Sequence, residues 1–187
     1  MIQLVRISLR EIHLPLKEPF RISSGMVTTR RIMLLELEDA DGATTWSECV
    51  AGEAPNYSSE TVDTAWMIIE EYVAPRLLGL SYQHPEDVHP ALELNFREHR
   101  MEKAAVEMGV WALFAEKQKL SLSKLIGGTR AEIATGISLG IQNSPAALVE
   151  RVGKALAEGY QTVKLKIEPG HGLDFVAAVP RASPKAP

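Results

Sequence analysis

At 187 residues, with 45% hydrophobic and 24% charged side chains, the chain has an ordinary globular composition. That length suffices for one domain with a true core, or for a small domain plus part of another. The formal net charge of −4 comes without a basic stripe or a long block of like charge, which argues against nucleic acid as a partner and against a charged interaction tail.

The N-terminus interleaves charges with apolar residues, unlike a signal peptide, and no later run is long enough to span a bilayer. One cysteine, Cys49, leaves no room for an internal disulfide framework or a cysteine zinc site. The sequence reads as that of a soluble cytoplasmic protein. Residues 2–14 alternate like a strand, and residues 15–31, "PLKEPFRISSGMVTTRR", read as a loop rich in Pro, Ser, Thr and Gly. "RIMLLELEDADGATTWSECV" then reads as two strands joined at Asp39-Ala40-Asp41-Gly42, which makes three antiparallel strands in all.

After the loop "AGEAPNY", Ser58 and Ser59 are expected to cap a helix with Glu60 and Asp63 in its first turn, ending before Pro75. "PEDVHPALELNF" is a shorter helical candidate. "RMEKAAVEMGVWALFAEKQKL" is the most regular helix, with Met101, Ala104, Ala105, Met108, Trp111, Ala112 and Ala115 as its expected buried face. A short helix around "SLSKLI" stops at Gly127-Gly128. The grammar then changes. "IATGISLGI" is a strand, Ser144 and Pro145 open a helix, Gly159 ends it, and "TVKLKI" is the next strand. Strand, helix and strand with short joints predict a parallel βαβ unit. The predicted division is a capping α+β domain over 1–130, a βαβ unit over 131–170, and a Pro- and Ala-rich disordered tail over 171–187.

Lys164 and Lys166, two apart in a strand, share one face, while Val163, Leu165 and Ile167 share the other. Two readings stand. Lysines on an exposed strand face discourage edge pairing; alternatively, parallel strands are normally covered on both faces, so paired lysines there need a reason. Catalysis is one, because neighbouring ammonium groups disfavour each other's charged form and can tune a lysine into a general base. Other candidates carry less. Cys49 has no recognisable base partner, His84, His89 and His99 lack metal-ligand spacing, and the turn "EPGHG" lacks the P-loop pattern.

The order of elements, together with "PFRISSG", "WSECVAG", "YSSET", "RMEKAAVEMGVWAL", "LIGG", "ISLGI" and "GYQTVKLKIEPG", resembles the enolase superfamily. The branch it is most similar to comprises o-succinylbenzoate synthase and the N-succinylamino-acid and N-acylamino-acid racemases. The resemblance implies an α+β capping domain followed by the first βαβ unit of an incomplete (β/α) TIM-like barrel, with the active site at the C-terminal ends of the barrel strands. It implies that Lys166 removes the proton α to a carboxylate, with Lys164 beside it facing that carboxylate. It also implies substrate contacts from Ser138 at the end of the preceding strand, and from Phe20 and Tyr57 in two capping loops. Without the resemblance, Ser138 reads equally as a small packing residue and the two aromatics as loop anchors.

The complete family enzyme uses Mg²⁺ held by acids on the third to fifth barrel strands, and its second lysine base lies on the sixth. This chain is expected to contain no metal ligand set, because it reaches two barrel strands. Where the family commonly continues with Trp-Asp after "KIEPG", this sequence has His171-Gly172 and then the proline-bearing "AAVPRASPKAP". Ala112 and Ser24 also depart from the common pattern. The expectation is therefore a truncated or frame-disrupted product, inactive alone and prone to self-association. It is either the N-terminal part of an o-succinylbenzoate synthase-like enzyme of menaquinone biosynthesis or of an N-acylamino-acid racemase, acting on a small carboxylate, or a non-catalytic remnant or cap-like binding module.

Overall fold

The computed structural model describes residues 1–170 and 172–182. Strands β1 (Ile2–Ile22) and β2 (Gly25–Asp39) form one long hairpin, so the loop expected over 15–31 is instead strand on both sides of a turn at Ser23-Ser24. One of the prolines that suggested a loop, Pro19, is tolerated for a reason of geometry. The Arg21 carbonyl accepts a hydrogen bond from the Ile141 N–H (2.9 Å), so that backbone edge faces away from β2. Pro19, two residues before Arg21, falls on the same edge, where a missing N–H removes no bond to β2.

Strand β3 (Thr44–Cys49) runs antiparallel to β2, with Met33 opposite Cys49 and Glu38 opposite Thr44. Their turn falls where the sequence suggested, and Gly42 there has φ +86°, a conformation that favours glycine. A fourth strand follows later in the chain and corrects the expected three; the order is β3-β2-β1-β4. Strand β4 is only Ser81–Tyr82, paired with Gln3 and Ile2, too short to announce itself by alternation.

Helix α1 (Val62–Ile68) is capped by Thr61 and Thr64 in a reciprocal box, not by Ser58 and Ser59. Nor does the helical run end before Pro75. A π-helical turn at Ile69–Val73 leads into α2 (Ala74–Leu77), and Pro75 lies in the first turn of that new segment, where its missing N–H costs little. Helix α3 (Val88–Glu93) follows a 3₁₀ turn, and α4 (Arg100–Lys117) packs on β3.

The buried face of α4 is Glu102, Lys103, Ala105, Val106, Gly109, Val110, Leu113 and Ala115, while Met108 is exposed and Trp111 half-buried. The helix is therefore turned from the Met/Trp stripe expected for it. Its small residues let it approach the sheet: a Cβ on Gly109 would lie 2.7 Å from a Leu37 methyl. Two polar residues inside the true face had hidden its period. Helix α5 (Leu122–Leu125) ends before Gly127, as expected.

The remaining elements make a parallel βαβ unit: β5 (Gly136–Leu139), α6 (Pro145–Ala157) and β6 (Thr162–Leu165). Ser144 caps α6 by accepting from the Ala147 N–H at 3.1 Å, and Gly159 takes φ +95° after its end. Helix α7 (Leu173–Ala182) replaces most of the expected tail. Burial decides against the proline signal there, because Phe175 and Val179 pack with Leu139, Leu148 and Val152. Residues 171 and 183–187 of that expected tail lie outside the described residues. The chain divides into two compact units, Met1–Leu14 with Arg30–Thr129, and Pro15–Thr29 with Arg130–Pro187. The tip of the first hairpin thus belongs with the βαβ unit.

Candidate functional site

In the second unit, Ser138 pairs with Lys164 and Leu139 with Leu165, and the Lys166 N–H donates to the Leu139 carbonyl at 3.0 Å. Alternation then sorts the side chains. Ile137, Leu139, Val163 and Leu165 join the apolar cluster with α6 and α7, so Ser138, Lys164 and Lys166 occupy the opposite face. Ser138 and Lys164 are exposed and Lys166 is half-buried. The lysine that lies at the C-terminal end of the strand is also the better shielded.

Phe20 approaches the same end of the unit through the hairpin tip. A Cβ on Gly140 would lie 3.0 Å from the Arg21 carbonyl oxygen and 3.4 Å from the Phe20 ring, so the glycine permits this close approach. The Arg21 guanidinium reaches both carboxylate oxygens of Glu168, at 3.1 and 3.4 Å. A second pair, Arg151 with Glu18 at 2.6 Å, ties the hairpin to α6. Sequence reasoning missed Arg21, and no local pattern could have disclosed a partner 147 residues away. Tyr57 is different. It lies in the first unit, 97% exposed in the loop before α1.

The remaining candidates have structural partners of their own. Cys49 is buried, and burial followed by the nearby carboxylates of Glu102, Glu60 and Glu48 pushes its thiol up to about 11, away from nucleophilic chemistry. The Nδ1 of His89 lies 3.4 Å from Glu107, that of His99 lies 3.7 Å from Glu102, and the His84 ring sits against Phe114. Among the described residues no three His, Cys, Asp or Glu converge as a metal site. Two concavities of about 550 and 480 Å³ lie in the first unit, the larger lined by Glu11, Asp63, Trp66, Met67, Glu70 and Glu71, and neither contains the lysines, Ser138, Phe20 or Tyr57.

Comparison with known proteins gives this arrangement a context. Residues 5–127 match the family described as the N-terminal domain of mandelate racemase / muconate lactonizing enzyme. Over 179 residues the chain is 38% identical to an o-succinylbenzoate synthase of Geobacillus kaustophilus, covering 96% of this chain and 48% of the synthase. It is 39% identical over 178 residues to an N-succinylamino acid racemase of Thermus thermophilus, covering 95% and 48%. A crystal structure of an enolase superfamily member from Listeria innocua superposes with a TM-score of 0.92 at 34% identity, over all of this chain and 50% of that one. The chain spans about half the length of the curated relatives it matches.

Proposed function

The chain belongs to the mandelate racemase / muconate lactonizing enzyme family of the enolase superfamily, and from that premise we propose that it supplies the N-terminal part of an enzyme that removes the proton α to a carboxylate. The reaction type is that of an o-succinylbenzoate synthase or an N-succinylamino acid racemase, names carried by relatives in this identity range. One observation carries the reading: Ser138, Lys164 and Lys166 share one open face of a parallel strand pair. Active sites of α/β barrels form at the C-terminal ends of such strands.

In this reading the neutral amine of Lys166 takes the α-proton as the C–H bond breaks, and the electron pair moves into the adjoining carboxylate. Lys164, next on the same face, stabilises the charge that develops there. Ser138 contacts the substrate beside Lys164 and Phe20 forms one wall, and the family resemblance assigns Tyr57 of the first unit a substrate contact as well. The substrate is a small carboxylate met in the cytoplasm.

The family implies Mg²⁺ to stabilise the enolate. The acids of the described residues do not fit it, since none converge in threes and Glu168, beside the lysines, is engaged by Arg21. The chemistry argued from this chain is accordingly that of its lysines. The 187-residue chain alone is expected to show neither stoichiometric Mg²⁺ binding by calorimetry nor turnover.

The test is Lys166→Ala, and separately Lys164→Ala, in a protein of the relatives' full length that carries this segment, assayed for o-succinylbenzoate formation and for racemisation of N-succinylamino acids. Loss of a general base lowers kcat by roughly a hundredfold to ten-thousandfold. Near-normal turnover in both variants would remove the assignment.

A further inference from the structure

The polar side-chain atoms that are buried without a hydrogen-bond partner among the described residues gather in one place: both carboxylate oxygens of Glu102 and the Nδ1 of His99. This lies at the start of α4, in the first unit, whereas the lysines belong to the second. Glu102 is fully buried, in the first turn of that helix. A buried carboxylate without a partner is costly, and an explanation is owed.

The neighbouring group supplies one. Helix α4 is preceded by His99, which takes a left-handed backbone (φ 55°) and gives no side-chain cap. Its first donors are capped from outside the helix. The two Glu60 carboxylate oxygens accept from the Arg100 N–H at 3.0 Å and the Met101 N–H at 2.7 Å. Such a cap works through the negative charge of Glu60 at a helix N-terminus. Glu60 is ionised by that role, and Glu102 is the group beside it that has no partner as a carboxylate. As a carboxylic acid Glu102 becomes a donor, and the Glu60 carboxylate is the acceptor at hand.

We propose that Glu60 and Glu102 form a proton-binding site, in which one proton held by Glu102 and shared with Glu60 fastens the loop over residues 53–60 to helix α4. The titration agrees in direction. Burial first, then Glu60, pushes Glu102 up to about 7, whereas Glu60 is held below the usual carboxylate range. Burial opposes that lowering but is outweighed by hydrogen bonds from Glu102, Met101 and Arg100.

The other charged groups facing the pair do not supply the missing partner. Lys103, on the same helix, gives its ammonium to Glu93 at 2.8 Å and to the Phe96 carbonyl. The His99 Nδ1, at 3.7 Å from Glu102, is beyond hydrogen-bonding distance. From β3, Cys49 holds its proton. On loss of the proton, two carboxylates face one another with one helix end between them. Loosening falls on the loop, which carries Tyr57 at 97% exposure.

The sign follows from linkage. An acid whose folded pKa is raised contributes stability that is present below its unfolded value and lost as pH rises through the folded one. For Glu102 that loss runs from the ordinary glutamate range up to about 7. Glu60, shifted the other way, loses its contribution as pH falls through its lowered value. The fastening is strongest in mildly acidic solution and weakens above neutrality.

The inference does not rest on the lysine chemistry and is tested on the 187-residue chain itself. Carbon-13 NMR of labelled glutamate carboxyls, with hydrogen exchange of residues 53–61 corrected for intrinsic rates, is followed from about pH 5 to about pH 8.5. The Glu102 carboxyl should titrate near neutrality, with roughly a hundredfold or greater gain in proton affinity over an ordinary glutamate, and loop protection should fall across the same range. Glu102→Gln, whose amide is a permanent donor, should abolish that fall, and Glu60→Gln should move the Glu102 titration to lower pH. Titration of Glu102 in the ordinary carboxylate range, or a fall in protection that survives in Glu102→Gln, overturns the proposal. Should Glu102→Gln not fold, the carboxyl titration of the parent chain decides alone.

Discussion

The two units of this chain solve the problem of burial differently. Among the described residues, the first joins twenty buried side chains, from Ile2 to Leu113, into one core between a sheet and its helices. The second gathers four, Leu139, Leu148, Val152 and Val179, behind one face of a two-stranded sheet, and leaves Ser138 and Lys164 exposed on the other. Hydrophobic stabilisation follows area removed from water. Stability is therefore concentrated in the first unit and the candidate chemistry in the second, as expected where a functional face must stay open.

The largest test of this contrast is Leu113→Ala, which removes a fully buried side chain from the larger core. It should cost about 2–5 kcal/mol, whereas Leu148→Ala, in a cluster bordered by half-buried residues that can close over the gap, should fall at or below the bottom of that range. Urea unfolding of the two units can be read separately. Cys49, 1% exposed, reports the first through its accessibility to thiol reagents, and amide exchange in β5 and β6 reports the second. Equal losses in both cores would break the comparison.

A smaller effect on the same side is expected from Gly109→Ala. The new Cβ would meet the two Leu37 methyls at 2.7 and 2.8 Å and the Ser47 hydroxyl at 3.0 Å, and that hydroxyl already donates to the Ala105 carbonyl at 2.7 Å. Overpacking of this kind costs about 1–3 kcal/mol. A neutral Gly109→Ala in thermal unfolding would mean that α4 is not held as closely to the sheet as its buried face implies.

The same glycine explains what the sequence could and could not disclose. Local chemistry was legible: Ser144-Pro145 and Gly159 bound α6, Asp39 to Gly42 turn the second hairpin, and alternation puts the two lysines together. Where a local signal competed with tertiary packing, packing prevailed. Ala105 and Gly109 face the sheet in place of Met108 and Trp111, Pro75 enters a helical segment behind a π turn, and Val179 holds α7 together despite Pro180. In the candidate site, the lysine face could be read from period alone, but Arg21 with Glu168 and Glu60 under α4 are long-range pairings without a sequence period.

In the second unit, Gly140→Ala should act locally. Its Cβ would lie 3.0 Å from the Arg21 carbonyl oxygen and 3.1 Å from the Arg21 nitrogen, backbone atoms that must yield by a few tenths of an ångström. The expected cost is at the lower end of the range for overpacking, about 1 kcal/mol. It should appear as faster amide exchange at Ile141, whose N–H donates to that carbonyl, with little change in the first unit. Loss of protection in α4 instead would show the two units to be one cooperative whole.

The smallest expected effect is that of Arg21→Met. The side chains of Arg21 and Glu168 are 39% and 26% exposed, so solvent screens their attraction. Pairs of this kind contribute about 0–1 kcal/mol. The hairpin tip also keeps its backbone bond to Ile141 and the Glu18 pair with Arg151. Global unfolding should therefore scarcely move, while exchange across residues 15–29 should rise and Phe20 should lose order. A double-mutant cycle with Glu168→Gln isolates the pair, and its coupling should shrink as salt is raised. A coupling above about 2 kcal/mol that is insensitive to salt would mean that the tip is held by a desolvated ion pair. The second unit would then own a source of stability that its small apolar cluster does not reveal, and the contrast between the units would narrow accordingly.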